Sequence, residues 1–294
     1  MNVRNRQNRL MGMRIALGLF CCLVGAVALA DTRPSTATSG VHVLSPPLVI
    51  PGLDRQRTIR VYLPPSYQTS KRRYPVLYMH DGQNLFDDAT SYVGEWGVDE
   101  SMDALAKSDG IEVIVVGIDH GGDKRINELA PWTNPRYGVS EGKQYMDFVV
   151  NTVKPFIDGK FRTRPGREDT GIMGSSLGAL SSQYAMYEYP DVFGKAGLFS
   201  PSYDFSDEVY SFTATRHLPA ETRLYLVIGG KEGGEESGES QLYVANVWKM
   251  AAQLQAAGDP DVALYSAVRA GAEHNETFWK AEFPEAIRYL FGKP

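Results

Sequence analysis

Apolar runs alternate along the chain with stretches in which apolar positions recur at helical spacing. Eight segments are predicted to be strands: 41–50, 58–63, 75–80, 112–118, 169–173, 196–200, 224–228 and 262–268. Five are predicted to be helices: 98–107, 145–161, 177–187, 241–256 and 276–291. From residue 75 onward most strand segments are nearly continuous apolar runs, which is typical of strands buried on both faces of a parallel sheet. The alternation therefore predicts an α/β protein with a mostly parallel, doubly wound sheet.

The first two strand segments are separated only by a short turn around Gly52-Leu53-Asp54. Because a connection this short joins antiparallel strands, we expect an antiparallel ribbon at one edge of the sheet. In open α/β sheets, ligands bind outside the carboxyl ends of the strands. Functional residues are therefore expected directly after the strands.

The first 30 residues have the layout of a secretory signal. Four arginines precede an apolar run over 15–30 that ends in Ala28-Leu29-Ala30, and the first acidic residue is Asp31. We predict a signal peptide over 1–30, a polar linker over 31–40, one domain over 41–294, and a periplasmic or secreted product. The apolar run is shorter than the ~20 residues that span a bilayer. A retained anchor is therefore the less favoured alternative, and no membrane partner is expected after cleavage.

Composition narrows the possible functions. The chain has 294 residues, of which 43% are hydrophobic and 22% charged, as in soluble globular enzymes. Both cysteines, Cys21 and Cys22, lie in the predicted signal peptide, so the mature protein would have no disulfide, thiol nucleophile or cysteine-bound metal. Loss of the four leader arginines changes the formal net charge from −5 to −9, which argues against nucleic acid as a partner.

The most informative motif is Gly174-Ser175-Ser176-Leu177-Gly178, which follows a predicted strand and precedes a predicted helix. In that context G-x-S-x-G predicts a sharp turn that projects the Ser176 hydroxyl above the sheet. Ser175 is the competing hydroxyl, but its position in the motif directs it elsewhere. The glycines allow strand and helix to approach closely, and the helix N-terminus offers amide donors to a developing oxyanion.

A serine nucleophile needs a base and an acid, which in this arrangement follow it along the chain. Of the five histidines, only His217 and His274 lie after Ser176. His274 follows the last predicted strand and leads into a helix, so it is the predicted base. Glu232, nearest the end of the preceding strand, is the predicted acid that orients the imidazole. Glu235 and Glu236 in the same glycine-rich loop remain alternatives.

An oxyanion hole needs two backbone donors, for which we predict the amides of Leu177 and Gln83. His80 is expected to pack at the strand end. The long loop over 120–140 follows a predicted strand, and loops of this length are frequently functional. Arg125 and Glu128 in it are expected to pair with each other. The predicted pocket residues are Gly82, Arg125, Glu128, Trp132 and Tyr203.

Together these residues resemble the bacterial "putative esterase" family of α/β hydrolases, which includes siderophore (enterochelin-type) esterases, feruloyl esterases, S-formylglutathione hydrolase and mycolyltransferases. The similar segments are 61–67, 74–84, 121–128, 174–178 and 229–232. The resemblance covers nearly the whole mature chain and implies the α/β-hydrolase fold. It also implies triad roles for Ser176, Glu232 and His274. Many relatives have aspartate where Glu232 stands.

The predicted function is therefore hydrolysis of a carboxylic ester, small or glycan-linked, through a Ser-His-acid triad and an acyl-enzyme. No metal or organic cofactor is expected. The absence of a segment typical of a long-acyl lid favours short acyl groups. One alternative keeps the triad but transfers the acyl group to another alcohol. The other is a non-catalytic binding module, for which a missing triad member would be expected, and all three are present.

Overall fold

A mixed sheet is the centre of the computed structural model, which describes residues 33–233, 238–259 and 261–293. Within these residues there are ten strands: β1 Val41–Val43, β2 Leu48–Ile50, β3 Arg55–Arg57, β4 Ile59–Tyr62, β5 Val76–His80, β6 Ile114–Ile118, β7 Thr170–Ser175, β8 Lys195–Phe199, β9 Arg223–Gly229 and β10 Ala263–Arg269. Eight of them form one sheet in the order β1-β4-β6-β5-β7-β8-β9-β10. The pairs β1–β4 and β4–β6 are antiparallel, and the remaining pairs are parallel.

Helices cover both faces of this sheet. They are α1 Val98–Ser108, α2 Arg125–Leu129, α3 Gly142–Phe148, α4 Lys154–Lys160, α5 Leu177–Glu188, α6 Glu208–Ala214, α7 Glu239–Ala257 and α8 Glu276–Phe291, with a π-helical segment over Val149–Val153 that joins α3 to α4. Alternate residues of β5 belong to different cores: Tyr78 lies in the core with Leu180 of α5, and Leu77 lies in the other with Phe283 of α8. Since both faces are buried, the central strands need no polar side, which explains their continuous apolar runs.

The predicted α/β class and the doubly wound, mostly parallel sheet are confirmed. The antiparallel edge ribbon is confirmed, although the segment 41–50 forms two strands, β1 and β2, on either side of a cis Ser45–Pro46 bond. β1 pairs with β4 in the large sheet, whereas β2 pairs with β3 in a separate two-stranded sheet. β3 is missing from the predicted strands, because its sequence Arg55-Gln56-Arg57 is polar.

Residues 33–40, the described part of the predicted linker, make specific hydrogen bonds with the domain. These residues belong to one compact unit that extends from residue 33 to the end of the chain. The Ser35 hydroxyl donates to Asp87 Oδ2 at 2.8 Å, and the Thr38 amide donates to Asp99 Oδ2 at 2.7 Å. Small polar residues are typical of a flexible connection, but the partners of these residues lie about fifty residues or more further along the chain.

The predicted signal peptide over 1–30 lies outside the described residues. Among the residues that are described, no helix is both long and apolar enough to cross a bilayer.

Candidate active site

Ser176 lies in the sharp turn between β7 and α5. Its φ of 58° and ψ of −124° are in a region that non-glycine residues rarely adopt. The Ser176 amide donates to the Phe199 carbonyl at 2.9 Å, and its carbonyl accepts from the Ser202 amide at 3.2 Å. The end of β8 and the loop after it therefore hold the turn in its strained conformation. Strain that the surrounding structure maintains in this way is concentrated at functional sites.

The imidazole of His274 is bound to the carboxylate of Glu232, through Nδ1 and Oε2. The Glu232 side chain is only 2% exposed, whereas 35% of the His274 side chain is exposed. Glu232 Oε1 accepts from the Ser200 hydroxyl and the Gly229 amide, both at 2.7 Å. The Trp279 indole donates to Ser200 at 3.1 Å and meets the His274 ring edge to face at a centroid distance of 5.1 Å. These contacts fix the carboxylate with one oxygen directed at the imidazole.

Ser176 and His274 both line two neighbouring cavities. The larger cavity has a volume of about 580 Å³, and its lining includes Trp96 and Trp279. The smaller has a volume of about 190 Å³, and Ser202 is part of its wall. The Ser176 hydroxyl lies 3.1 Å from the Ser202 hydroxyl, which is its hydrogen-bond partner in this structure. The predicted nucleophile and base are therefore brought to one site, with space on two sides for the parts of a substrate.

The turn after β5 is made by Asp81, whose φ is 57°, and not by the neighbouring Gly82. Gly82 is required for a different reason. A Cβ at this position would lie 2.7 Å from the Gly117 carbonyl carbon and 2.8 Å from the Ile118 amide nitrogen. Only glycine therefore lets the turn pack against β6 at this distance. Gly82 lines neither cavity, so its prediction as a pocket residue is wrong.

The two predicted oxyanion donors lie at the ends of the elements next to the cavity. Leu177 is the first residue of α5, so its amide has no acceptor within the helix. Gln83 lies in the single turn of 3₁₀ helix over Gly82–Asn84, and its side-chain oxygen accepts from the His120 amide at 3.0 Å. The oxyanion role of the Leu177 and Gln83 amides stays a prediction.

Arg125 lines the larger cavity, as predicted, but its partner is Asp81. Nε and Nη2 of Arg125 donate to the two carboxylate oxygens of Asp81 at 2.6 and 2.7 Å. Burial opposes the charge on Asp81, but the Arg125 charge and its hydrogen bonds lower the Asp81 pKa. Glu276, at the start of α8, also lines this cavity, and burial together with the Asp81 charge raises the pKa of Glu276. The expected pairing of Arg125 with Glu128 is wrong.

His80, at the end of β5, is buried beneath the larger cavity. Its Nδ1 lies 3.0 Å from the Tyr145 hydroxyl, and burial lowers the pKa of His80 to about 4. The ring is therefore neutral at physiological pH, which agrees with the packing role expected from the sequence.

Three predicted pocket residues are buried away from both cavities. Glu128, 1% exposed, accepts hydrogen bonds from Arg55 and Arg57 of β3. Trp132 packs edge to face against core rings, and the Tyr203 hydroxyl donates to the Gln183 side chain. The pocket predictions for Glu128, Trp132 and Tyr203 are wrong, because a buried partner or an aromatic neighbour holds each side chain in the protein interior.

The amino-acid sequence also matches a known protein family. Residues 50–290 match the family described as "Putative esterase". The chain belongs to this family. The resemblance stated from the motifs is therefore confirmed, and the family indicates ester hydrolysis.

Individual relatives of this esterase are distant. The chain is 26% identical over 246 residues to "Uncharacterized protein YbbA" of Bacillus subtilis, covering 81% of this chain and 93% of that protein. It is 23% identical over 243 residues to an endo-1,4-beta-xylanase/feruloyl esterase of Xylanibacter ruminicola, covering 81% of this chain but 30% of that protein. The siderophore hydrolase EstB of Aspergillus nidulans has the same fold, with a TM-score of 0.70 at 14% identity over 88% of this chain and 98% of that one. The predicted α/β-hydrolase fold is confirmed.

The esterase site also contains residues that the motifs did not identify. Ser200 and Trp279 brace the Glu232–His274 pair, and Tyr92 and Val93 line the larger cavity. Ser200 and Trp279 each lie beside a predicted functional element, after β8 and early in α8. Tyr92 and Val93 have no such signal, since they lie far along the loop after β5.

The structure also bears on the alternative acids, the second histidine after Ser176 and the possibility of a metal site. Glu235 and Glu236 lie outside the described residues. His217 is largely exposed and bound to Asp259. In residues 33–233, 238–259 and 261–293, no group of three or more His, Cys, Asp or Glu side chains is arranged to hold a metal ion.

Proposed function

We propose that this esterase hydrolyses carboxylic esters through an acyl-enzyme, with Ser176 as nucleophile, His274 as general base and Glu232 as the orienting acid. One observation carries the proposal: a positive-φ serine at a strand–helix turn shares a cavity with a histidine whose Nδ1 is bound to a buried carboxylate. A nucleophile, a base and a group that orients the base are the parts that nucleophilic catalysis requires.

In the free enzyme the Ser176 hydroxyl is bound to Ser202. We infer that a rotation of the Ser176 side chain brings its proton to Nε2 of His274 when the substrate binds, since catalytic hydrogen bonds often form only in the complex. The serine oxygen attacks the ester carbonyl, and His274 passes the proton to the leaving alcohol. Water then attacks the acyl-enzyme by the same route. Glu232 keeps the proton of the neutral ring on Nδ1, so that Nε2 is free to accept.

The tetrahedral intermediate carries a negative oxygen that needs donors. The Leu177 amide at the start of α5 is one candidate, and the Gln83 amide after β5 is the other. The positive end of the α5 dipole favours the same charge. Loss of one such donor lowers kcat by about 10²–10³-fold in enzymes of this kind.

The substrate class follows from the family and the cavity. One relative is named for feruloyl esterase activity, and a protein of the same fold for siderophore hydrolysis. A cavity of about 580 Å³ has the size typical of small-molecule sites. We propose a small-molecule ester or an ester-linked substituent of a glycan as the substrate.

A fluorophosphonate probe tests the nucleophile directly. Wild-type protein and Ser175→Ala should be labelled, whereas Ser176→Ala should not. Ser108→Ala, on the exposed end of α1, is the control for loss of a serine hydroxyl. Equal labelling of the wild type and Ser176→Ala, or no labelling of the wild type, would contradict the proposal. Parallel hydrolysis of p-nitrophenyl acetate gives the same comparison as a rate.

A further inference from the structure

Two apolar side chains are exposed at the mouth of the larger cavity. Tyr92 is 85% exposed and Val93 is 61% exposed, and both line the cavity that contains Ser176 and His274. They belong to residues 87–95, here named the rim loop. Exposed apolar groups at the mouth of a cavity can bind an apolar ligand and remove its surface from water.

The rim loop is anchored at its base. The Tyr92 amide donates to Asn84 Oδ1 at 3.1 Å, and the Trp96 amide donates to the Asn84 carbonyl at 2.9 Å. Behind the loop, the Trp96 ring contacts the Trp279 ring at a centroid distance of 5.6 Å. The exposed pair is thus continuous with a buried aromatic wall that reaches His274.

A second anchor comes from residues 33–38, here named the strap. The Thr36 hydroxyl accepts from the Asp88 amide at 2.8 Å and donates to Glu95 Oε2 at 2.9 Å, so one side chain joins both ends of the rim loop. Arg33 donates to Asp88 Oδ1 at 3.1 Å and to the Ser91 carbonyl. The strap therefore holds the residue next to Tyr92 and the two ends of the loop.

The smaller cavity has a different chemical character. Its wall includes the Ser202 hydroxyl, the Asp204 carboxyl and Tyr243, all suited to hydrogen bonds with an alcohol. An ester bound at Ser176 directs its acyl and alcohol parts to different sides of the reacting carbonyl. An apolar acyl group therefore fits the rim-loop side, and a polar alcohol fits the smaller cavity.

We propose that Tyr92 and Val93 contact the acyl group and select apolar acyl groups larger than acetyl, and that Arg33 and Thr36 are positioning residues that hold this wall. The inference rests on the proposed serine-esterase function. It also changes the preference for short acyl groups that was inferred from the sequence. The apolar wall formed by Tyr92 and Val93 favours acyl groups larger than acetyl, although it is too short to act as a lid over a long acyl chain.

The first test compares kcat/KM for p-nitrophenyl hexanoate and p-nitrophenyl acetate, which share a leaving group. Removing the burial of one methylene group should lower the hexanoate/acetate ratio about fourfold. We expect a decrease of about fourfold for Val93→Ala and of tenfold or more for the double variant with Tyr92→Ala. Val139→Ala removes the same atoms from another exposed valine and should leave the ratio unchanged.

The second test separates positioning from folding. Thr36→Val keeps the shape but removes the hydroxyl, so KM for the hexanoate should rise about threefold while kcat changes little. Thr36→Ser, which restores the hydroxyl, should restore KM. Thr69→Val is the matched control, because Thr69 is exposed and bonds only weakly, at 3.4 Å, to the Ser66 carbonyl. A general loss of folding would instead lower kcat for both esters, and Thr36→Ser would not restore KM for the hexanoate alone.

Three outcomes would overturn this inference. One is a hexanoate/acetate ratio that stays at the wild-type value in the double variant. Another is a loss of kcat/KM in the double variant that depends on the size of the alcohol, at constant acyl group, and not on the length of the acyl chain. A third is an effect of Thr36→Val no larger than that of Thr69→Val. Each leaves the serine mechanism intact, whereas hydrolysis that persists in Ser176→Ala would refute the proposed function itself.

Discussion

Replacing Glu232, the proposed acid, by glutamine exchanges one carboxylate oxygen for an NH₂ group. Glu232 Oε1 accepts two hydrogen bonds, from Ser200 and Gly229 at 2.7 Å, and Oε2 faces His274 Nδ1. The glutamine can keep its oxygen on the first two donors, which turns its NH₂ toward the imidazole. The reverse orientation would set the NH₂ against two donors and leave them unpaired, at a cost of about 1–3 kcal/mol each.

The favoured orientation makes His274 Nδ1 an acceptor, and the ring proton moves to Nε2. Nε2 can then no longer accept the Ser176 proton. The same carboxylate-to-amide change in a serine protease lowers kcat about 10⁴-fold. Because the His274 side chain is 35% exposed, water can reach the ring and weaken the tautomer preference. We therefore expect a decrease in kcat of about 10³-fold, equivalent to about 4 kcal/mol of transition-state stabilisation.

Steady-state hydrolysis of p-nitrophenyl acetate measures this effect, and urea unfolding of each variant checks that the fold is retained. Glu235→Gln and Glu236→Gln are the matched controls, since either residue is an alternative acid in the same loop. Both should keep kcat within about threefold of the wild type. The reasoning is refuted if Glu232→Gln keeps more than a tenth of the wild-type kcat, or if one of the two controls loses more than it does.

Three further predictions concern stability and processing. Burial lowers the His80 pKa from 6.5 to about 4. As pH falls below about 6.5, His80 is therefore protonated in the unfolded chain but not in the folded protein, which lowers the free energy of unfolding. The expected loss is about 2 kcal/mol at pH 5. Urea unfolding at pH 7.5 and 5 should show a smaller decrease for His80→Phe. A Cβ at Gly174 would lie 2.8 Å from the Gly178 carbonyl carbon, so Gly174→Ala should destabilise the fold by about 1–3 kcal/mol in the same assay and lower kcat. The sequence prediction of a signal peptide over 1–30 is tested by expression in a secreting host: intact mass should give a mature chain that begins at Asp31, and maleimide should not label it.

The strand pattern predicted most of the sheet because burial on both faces leaves a signal in every strand from β5 to β9. It failed for β3, where Arg55 and Arg57 are held by the buried Glu128. No local pattern reports an ion pair between residues seventy positions apart. The strap was predicted to be a linker for the same reason. Its polar residues have the composition of a linker, and their hydrogen-bond partners in the rim loop are too distant in the sequence to be predicted from it. Aromatic residues in loops are equally ambiguous, and Trp132 proved to be a core residue.

The geometry of a parallel sheet explains which site residues could be predicted. Ser175 of β7 lies in register with Phe199 of β8, Phe199 with Val227 of β9, and Val227 with Ala267 of β10. These four residues form one row across the parallel strands. The residues that follow each of them in the sequence therefore lie at the same edge of the sheet, where the carboxyl ends of the strands meet. Ser176 comes directly after the row and needs no further information to be assigned to that edge.

Glu232 and His274 follow the same row by several residues, so their assignment depends on loops whose course the strand pattern does not specify. That is why the edge could be predicted, whereas the choice among Glu232, Glu235 and Glu236 could not. The structure supplies the missing constraint, because the Gly229 amide at the end of β9 binds Glu232 Oε1 and thereby directs the other oxygen toward His274. The order of strands brings the three side chains to one edge, and local backbone donors select which carboxylate meets the imidazole.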